Sequence, residues 1–133
     1  MTIKEQAAQM KLDSTKLAAQ SLESRNKALK MVADALLKNQ DKIVGANKED
    51  LEKAAQDGLQ TPILKRLKFD EDKLKDVVKG ILELIELPDP LGKEQMKREL
   101  DSDLLLVRES CAIGVIGVIF ESRPDAMVQI STL

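Results

Sequence analysis

The residues best suited to chemistry stand together near the carboxyl end, as Glu121-Ser122-Arg123-Pro124-Asp125. A serine followed three positions later by an acid is the capping-box pattern that opens a helix. The Ser122 hydroxyl would accept from a first-turn amide, and Asp125 would reach back to the amide of Ser122. Pro124 fits the first helical turn, where its missing N–H costs nothing. The start of a helix carries unpaired N–H groups and the positive end of the helix dipole, which together favour an anion. Arg123 adds a fixed cation suited to a phosphate or a carboxylate. Ser122 and Arg123 are therefore the candidate substrate or cofactor contacts, one as a polar donor and the other as an anion contact. The plainer reading is a cap only, with Arg123 paired to a neighbouring acid, and the pattern alone leaves both open.

The remaining reactive groups point elsewhere. Cys111 is the only thiol. A catalytic thiol needs a lowered pKa from a helix N-terminus or a nearby cation. Cys111 precedes the apolar run that leads to the turn, at the end opposite the expected site, so it reads as an ordinary packed or strand-edge cysteine. No catalytic residue is assigned in this chain. The sequence has no histidine, so the commonest base and a common zinc ligand are both missing, and no metal site is expected. Gly114 and Gly117 lie within the apolar run. A dinucleotide fingerprint needs its glycines after the strand; inside one they suit close backbone packing.

The element that must position the turn is the run Gly114-Val115-Ile116-Gly117-Val118-Ile119-Phe120. Valine and isoleucine without alternation predict a strand covered on both faces, as in a parallel sheet. Ligands bind at the carboxyl ends of such strands. A parallel strand also needs a crossover and a second strand, and the sequence reaches Leu133 before supplying both. The expected fold is α/β: N-terminal helices, a β-hairpin, and the first strand and helix of a parallel sheet that is incomplete here.

Upstream, apolar residues recur at helical spacing from Ile3 to about Gln20, and Ser21 or Ser24 could cap a second helix bearing Ala28, Val32, Ala35 and Leu36. That helix should stop near Lys38-Asn39-Gln40-Asp41, with a short turn before Gly45. Asn47 then reads as the cap of a helix over 48–57, and Gly58 suits the left-handed position beyond it. Thr61-Pro62 predicts a short helix to about Leu67. Asp70 caps the next, whose Leu74, Val77, Val78, Ile81, Leu82 and Ile85 share one face. Leu87-Pro88-Asp89-Pro90 ends it. Segments 96–100 and 104–107 flank Asp101-Ser102-Asp103 and predict the hairpin. Its second strand is apolar on both faces, too hydrophobic for a free edge, and should be covered, for example by another subunit.

Composition sets the bounds. A chain of 133 residues with 43% hydrophobic and 33% charged residues is expected to fold as one globular domain. Two Phe, no Trp and no Tyr leave no stacking platform for single-stranded nucleic acid, and a net charge of −2 argues against a phosphate-backbone binder. The Lys65, Arg66, Lys68, Lys73, Lys75 and Lys79 face alternates with acids and reads as solvated. No stretch approaches a membrane span and no signal-peptide core opens the chain. One cysteine permits no intrachain disulfide and suggests the reducing cytoplasm.

From Ala112 through the apolar run to Asp125, the sequence resembles the strand-turn signature of the γ-glutamyl phosphate reductase (glutamate-5-semialdehyde dehydrogenase) family, within the aldehyde dehydrogenase superfamily. Asn47-Lys48-Glu49-Asp50-Leu51 is similar to the family's Asn-x-x-Asp-Leu stretch. Gly58-Leu59 followed by Leu64-Lys65-Arg66-Leu67, and Leu87-Pro88-Asp89-Pro90-Leu91-Gly92, match its next landmarks in order. The resemblance implies an NADPH-dependent reductase that converts γ-glutamyl phosphate to glutamate 5-semialdehyde and phosphate in proline biosynthesis. It implies a cysteine nucleophile beyond Leu133, to which Cys111 does not correspond. It further implies three parts: residues 1–92 as the helical part of a nucleotide-binding domain, 93–110 as the hairpin of an oligomerisation flap, and 111–133 as the first strand and helix of the nucleotide-binding sheet. A homo-oligomer formed through the hairpin follows from the same resemblance. Relatives in the superfamily carry Pro-Trp-Asn at this turn, the Asn donating to an oxyanion; Glu121-Ser122-Arg123 offers no Asn. On this reading the segment is the N-terminal portion of the enzyme and is inactive alone. The alternative is a standalone helical interaction or regulatory module derived from that enzyme.

Overall fold

The computed structural model describes residues 2–133. The elements run α1 (Ile3–Ala18), α2 (Leu22–Lys38), α3 (Gln40–Gln56), α4 (Thr61–Leu67), α5 (Glu71–Ile85), β1 (Glu94–Asp101), β2 (Leu104–Glu109) and α6 (Pro124–Thr132). They fall into two units, one of residues 2–22 with Pro88–Gly117, the other of Glu23–Leu87 with Val118–Leu133.

The second unit has the core, and α5 organises it. Asp70 stands at the N-cap as predicted, extended, with its side chain accepting from the Lys73 N–H at 3.1 Å. Phe69 just before the cap and Leu74 in the helix's second turn occupy the hydrophobic-staple positions, and both are buried. Leu74, Val77, Val78 and Ile81 then repeat at helical spacing and form the core with Ala33 of α2, while Leu29, Leu36, Ile43 and Val128 flank it. Each large aliphatic side chain contributes about 1.5–3 kcal/mol when fully removed from water. Asn26 of α2 donates to the last α5 carbonyl, Ile85, at 3.2 Å, which fixes one helix against the end of the other.

Helix α3 departs from the sequence-based expectation. It runs unbroken through Gly45 and Asn47, so Asn47 is no cap. An interior glycine costs only about 1 kcal/mol relative to alanine. Burial of Val44, Asn47 and Ala54 along α3 outweighs it. The Asn47 side chain turns inward instead. Its amide donates to the Leu67 carbonyl at 2.9 Å, and its oxygen accepts from the Phe69 N–H at 2.6 Å. One side chain thereby pins the link between α4 and α5. Gly58 does take the predicted left-handed position, with φ 74°. The Gly58 N–H donates to Ala55 and the Leu59 N–H to Ala54, the paired bonds of a Schellman stop.

The first unit is built differently. Thr2 and Glu5 form a capping box at the start of α1, yet α1 buries no residue. The predicted hairpin forms, β1 antiparallel to β2, with Lys97 opposite Val107, Arg98 opposite Leu106 and Glu99 opposite Leu105. Asp103 closes its turn at φ 62°, a left-handed conformation that Asp tolerates better than most residues. Below the strands, Ser110 clamps the hairpin base: its hydroxyl donates to the Pro90 carbonyl at 2.6 Å and accepts from the Lys93 N–H at 3.0 Å. All of Leu104, Leu105, Leu106 and Val107 stay exposed.

The run at 114–120, predicted as a buried strand, takes no strand assignment and is exposed throughout. The reason is physical. A strand is defined by its ladder, and among the described residues the one sheet is the β1–β2 pair. Without neighbours the run has neither hydrogen bonds nor cover.

Candidate functional site

The candidate turn lies between that run and α6. Glu121 and Ser122 form a bend, and Ser122 has φ 52°, a left-handed value uncommon outside glycine. Arg123 follows at φ −138° and ψ 77°. The ring of Pro124 disfavours the helical region for the residue before it, so Arg123 cannot be helical and becomes the N-cap. This displaces the predicted capping box. Ser122 lies one position too early to cap, and no side-chain cap bond forms at Arg123. The Asp125 carboxylate instead accepts from the Ala126 N–H at 2.9 Å.

This local folding decides which group can meet an anion. Pro124 has no N–H, the Ala126 N–H is engaged by Asp125, and the Met127 N–H donates to the Arg123 carbonyl at 3.3 Å. Of the first-turn donors only the Asp125 N–H is not engaged in this way, and it stands beside the Asp125 carboxylate itself, so the helix start offers an anion little from its backbone. Arg123 remains. Its side chain is 54% exposed, and its Nε lies 4.0 Å from an Asp125 oxygen, a distance at which the pairing is loose. Its guanidinium can accept a phosphate or carboxylate without breaking a short ion pair. Ser122 is half-buried beside it, and Glu121 is exposed. Ala126 is buried and Val128 packs on the α5 core, so the first turn of α6 is anchored and the turn before it has a rigid base.

Other candidates separate from this turn. Cys111 is exposed and lies in no strand, where a packed or strand-edge cysteine was expected, because the run it precedes has neither ladder nor cover. A groove of 510 Å³ opens between α5 and α6, lined by Val77, Gly80, Leu84, Leu87 and Thr132 among others, but none of Glu121, Ser122 or Arg123 reaches it. Among the described residues no three of His, Cys, Asp and Glu gather where they could hold a metal ion, and no helix is long and apolar enough to cross a membrane. The role of Asn47 was missed from sequence; the one signal was a helix former's pattern continuing across a polar residue at a core position.

No family model matches the chain. Curated relatives do. The chain is 53% identical over all 133 residues to the γ-glutamyl phosphate reductase of Acetivibrio thermocellus, and 51% identical to that of Ruminiclostridium cellulolyticum. It spans 31% of the length of each. Among solved structures, the γ-glutamyl phosphate reductase of Saccharomyces cerevisiae follows 99% of the chain at a TM-score of 0.91 and 40% identity, using 34% of its own length. That of Thermotoga maritima follows 97% at 0.91 and 29% identity, using 31% of its length. The region matched in both is the N-terminal one.

Proposed function

We propose that this chain is the N-terminal third of a γ-glutamyl phosphate reductase, an oxidoreductase that converts γ-glutamyl phosphate to glutamate 5-semialdehyde and phosphate. The observation that carries the reading is full-length identity of 53% to a relative of that name, of which the chain spans 31%. NADPH would supply the hydride. The group in this chain that fits such anionic ligands is Arg123, exposed and only loosely held by Asp125. In this role Arg123 binds a phosphate of substrate or cofactor, and Ser122 donates from the turn beside it. Neither breaks a bond; they bind and orient. The catalytic cysteine belongs to the part of the enzyme that this chain does not span. The domain assignment follows the same logic: residues 1–92 as helical support, 93–110 as a hairpin serving a homo-oligomer, and 111–133 as the entry to the nucleotide-binding sheet. The reaction belongs to proline biosynthesis, in the cytoplasm.

The test joins this chain to the remaining two-thirds of the Acetivibrio thermocellus enzyme in one polypeptide. The reverse reaction is read out: NADP⁺ reduction with glutamate 5-semialdehyde and phosphate. The expected result is turnover, with Arg123→Gln raising the KM for an anionic ligand by about tenfold or more while kcat changes less, as befits loss of a charge-assisted contact. A soluble, folded fusion without turnover overturns the reading.

A further inference from the structure

The sequence puts Asp125 forward as half of a capping box, and the fold denies it that part, since Arg123 is the N-cap and no side-chain cap bond forms there. We propose that Asp125 is a positioning residue for Arg123: it holds the guanidinium by its Nε edge, so that the two terminal nitrogens are presented as a fork to a phosphate. The proposal rests on the reductase reading above and adds to it the residue that aims the anion contact.

Three observations carry it. The first is that the pair meets at all. Residues two apart do not face each other on a helix, so Arg123 and Asp125 would not meet within α6. They meet because Pro124 keeps Arg123 out of the helical region, at φ −138° and ψ 77°, and an N-cap side chain lies over the first turn. The second is that the carboxylate is tethered. Arginine has no acceptor and cannot bond the first-turn N–H groups as a serine cap would. Asp125 takes that duty, its Oδ1 accepting from the N–H of the buried Ala126 at 2.9 Å. Its side chain is 23% exposed against 54% for Arg123, so a held anion stands beside a freer cation. The third is the edge that is used. The same Oδ1 lies 4.0 Å from the Arg123 Nε, and contact there leaves the terminal nitrogens to take two phosphate oxygens in parallel. A carboxylate near an anion site also repels the ligand. Here the ligand would bind across the guanidinium from Asp125, with the cation between them and solvent to screen, so orientation outweighs repulsion. The arrangement is set within residues 123–126, on a base anchored by Ala126 and Val128.

The experiment uses the single-chain fusion with the remaining two-thirds of the Acetivibrio thermocellus enzyme. KM is measured separately for phosphate and for NADP⁺, with kcat and the melting temperature. Asp125→Asn keeps an oxygen for the Ala126 N–H and removes only the charge. The expected result is a rise of about threefold in the same KM that Arg123→Gln raises, with kcat changed by less than about twofold. The melting temperature should stay put. Whichever KM moves identifies the phosphate as the substrate's or the nucleotide's. In the Arg123→Gln background Asp125→Asn should add nothing, because no guanidinium is left to aim. Asp34→Asn is the control: it takes the carboxylate from the exposed Lys30–Asp34 pair at 2.9 Å and should move neither KM. An unchanged or lowered KM for Asp125→Asn overturns the proposal. So does an equal effect without Arg123, or a loss confined to kcat or to the melting temperature. An inactive fusion refutes the reductase reading and the positioning role with it, whereas an active fusion indifferent to Asp125→Asn refutes the positioning role alone.

Discussion

Asn47→Ala removes one side chain that serves two backbone groups. The Phe69 N–H, at a residue only 3% exposed, donates to the Asn47 oxygen at 2.6 Å. Without it that donor is buried and unsatisfied, which costs about 1–3 kcal/mol. The Leu67 carbonyl also loses its 2.9 Å partner, but Leu67 is half-exposed and water can replace the bond at little cost. Alanine returns about 0.6 kcal/mol through its better helix propensity. The balance is a loss of about 1.4 kcal/mol. Urea unfolding followed by circular dichroism should show it as a midpoint lowered by about 0.7 M at an m-value of about 2 kcal/mol/M. Amide exchange at Phe69 should accelerate as well. Asn39→Ala is the control. Its amide donates to the Ala35 carbonyl at 2.7 Å from an exposed position, so its loss should stay within about 0.5 kcal/mol. Equal effects from the two variants, or a loss below about 0.5 kcal/mol for Asn47→Ala, would refute the claim that this amide pins α4 to α5.

Two further outcomes follow. The Lys68 ammonium, and then the Lys73 N–H, hold the Asp70 carboxyl below its ordinary 3.8, so its stabilisation is present above that value and is lost as pH falls through the lowered one. Asp70→Ala should therefore cost about 1 kcal/mol at neutral pH, and the gap to the unsubstituted chain should close in acid; a gap that widens below pH ~4 contradicts the cap. Ser122 at φ 52° should be neutral or slightly stabilised as Ser122→Gly and destabilised by about 1–2 kcal/mol as the β-branched Ser122→Val, read as a change in melting temperature; no difference between the two would deny the left-handed turn.

Legibility tracked the range of the deciding interaction. The Asp70 cap, the Gly58 stop, the Thr61-Pro62 start and the hairpin turn at Asp101-Ser102-Asp103 are each settled within a few residues, and each was readable in advance. The errors came where partners are distant in sequence. Asn47 looks like a cap until Leu67 and Phe69, twenty or more residues on, are placed against it. The capping box at Ser122 failed for a nearer reason: two local rules competed, and the steric demand of Pro124 on Arg123 outranked the hydrogen bond that Ser122 and Asp125 could have exchanged. At the candidate site the residue types were legible and the geometry was not. That geometry removes most of the backbone donors expected at the helix start and leaves the Arg123 side chain, already a candidate from sequence, as the group with a loosely held charge.

The contrast in burial between the two units bears on what the apolar pattern encodes. In the second unit the stripe of α5 is matched by Ala33, Phe69 and Val128, and it goes dry. In the first, α1 and both strands bury nothing, although Leu12, Leu17 and all four residues from Leu104 to Val107 are as apolar as the α5 stripe. Local propensity is satisfied equally in both: α1 has a complete capping box and the hairpin has its turn and its Ser110 clamp. Only the complement differs. Hydrophobic pattern in a sequence thus states a demand for cover, while the fold of a given stretch shows how much of that demand its own residues meet.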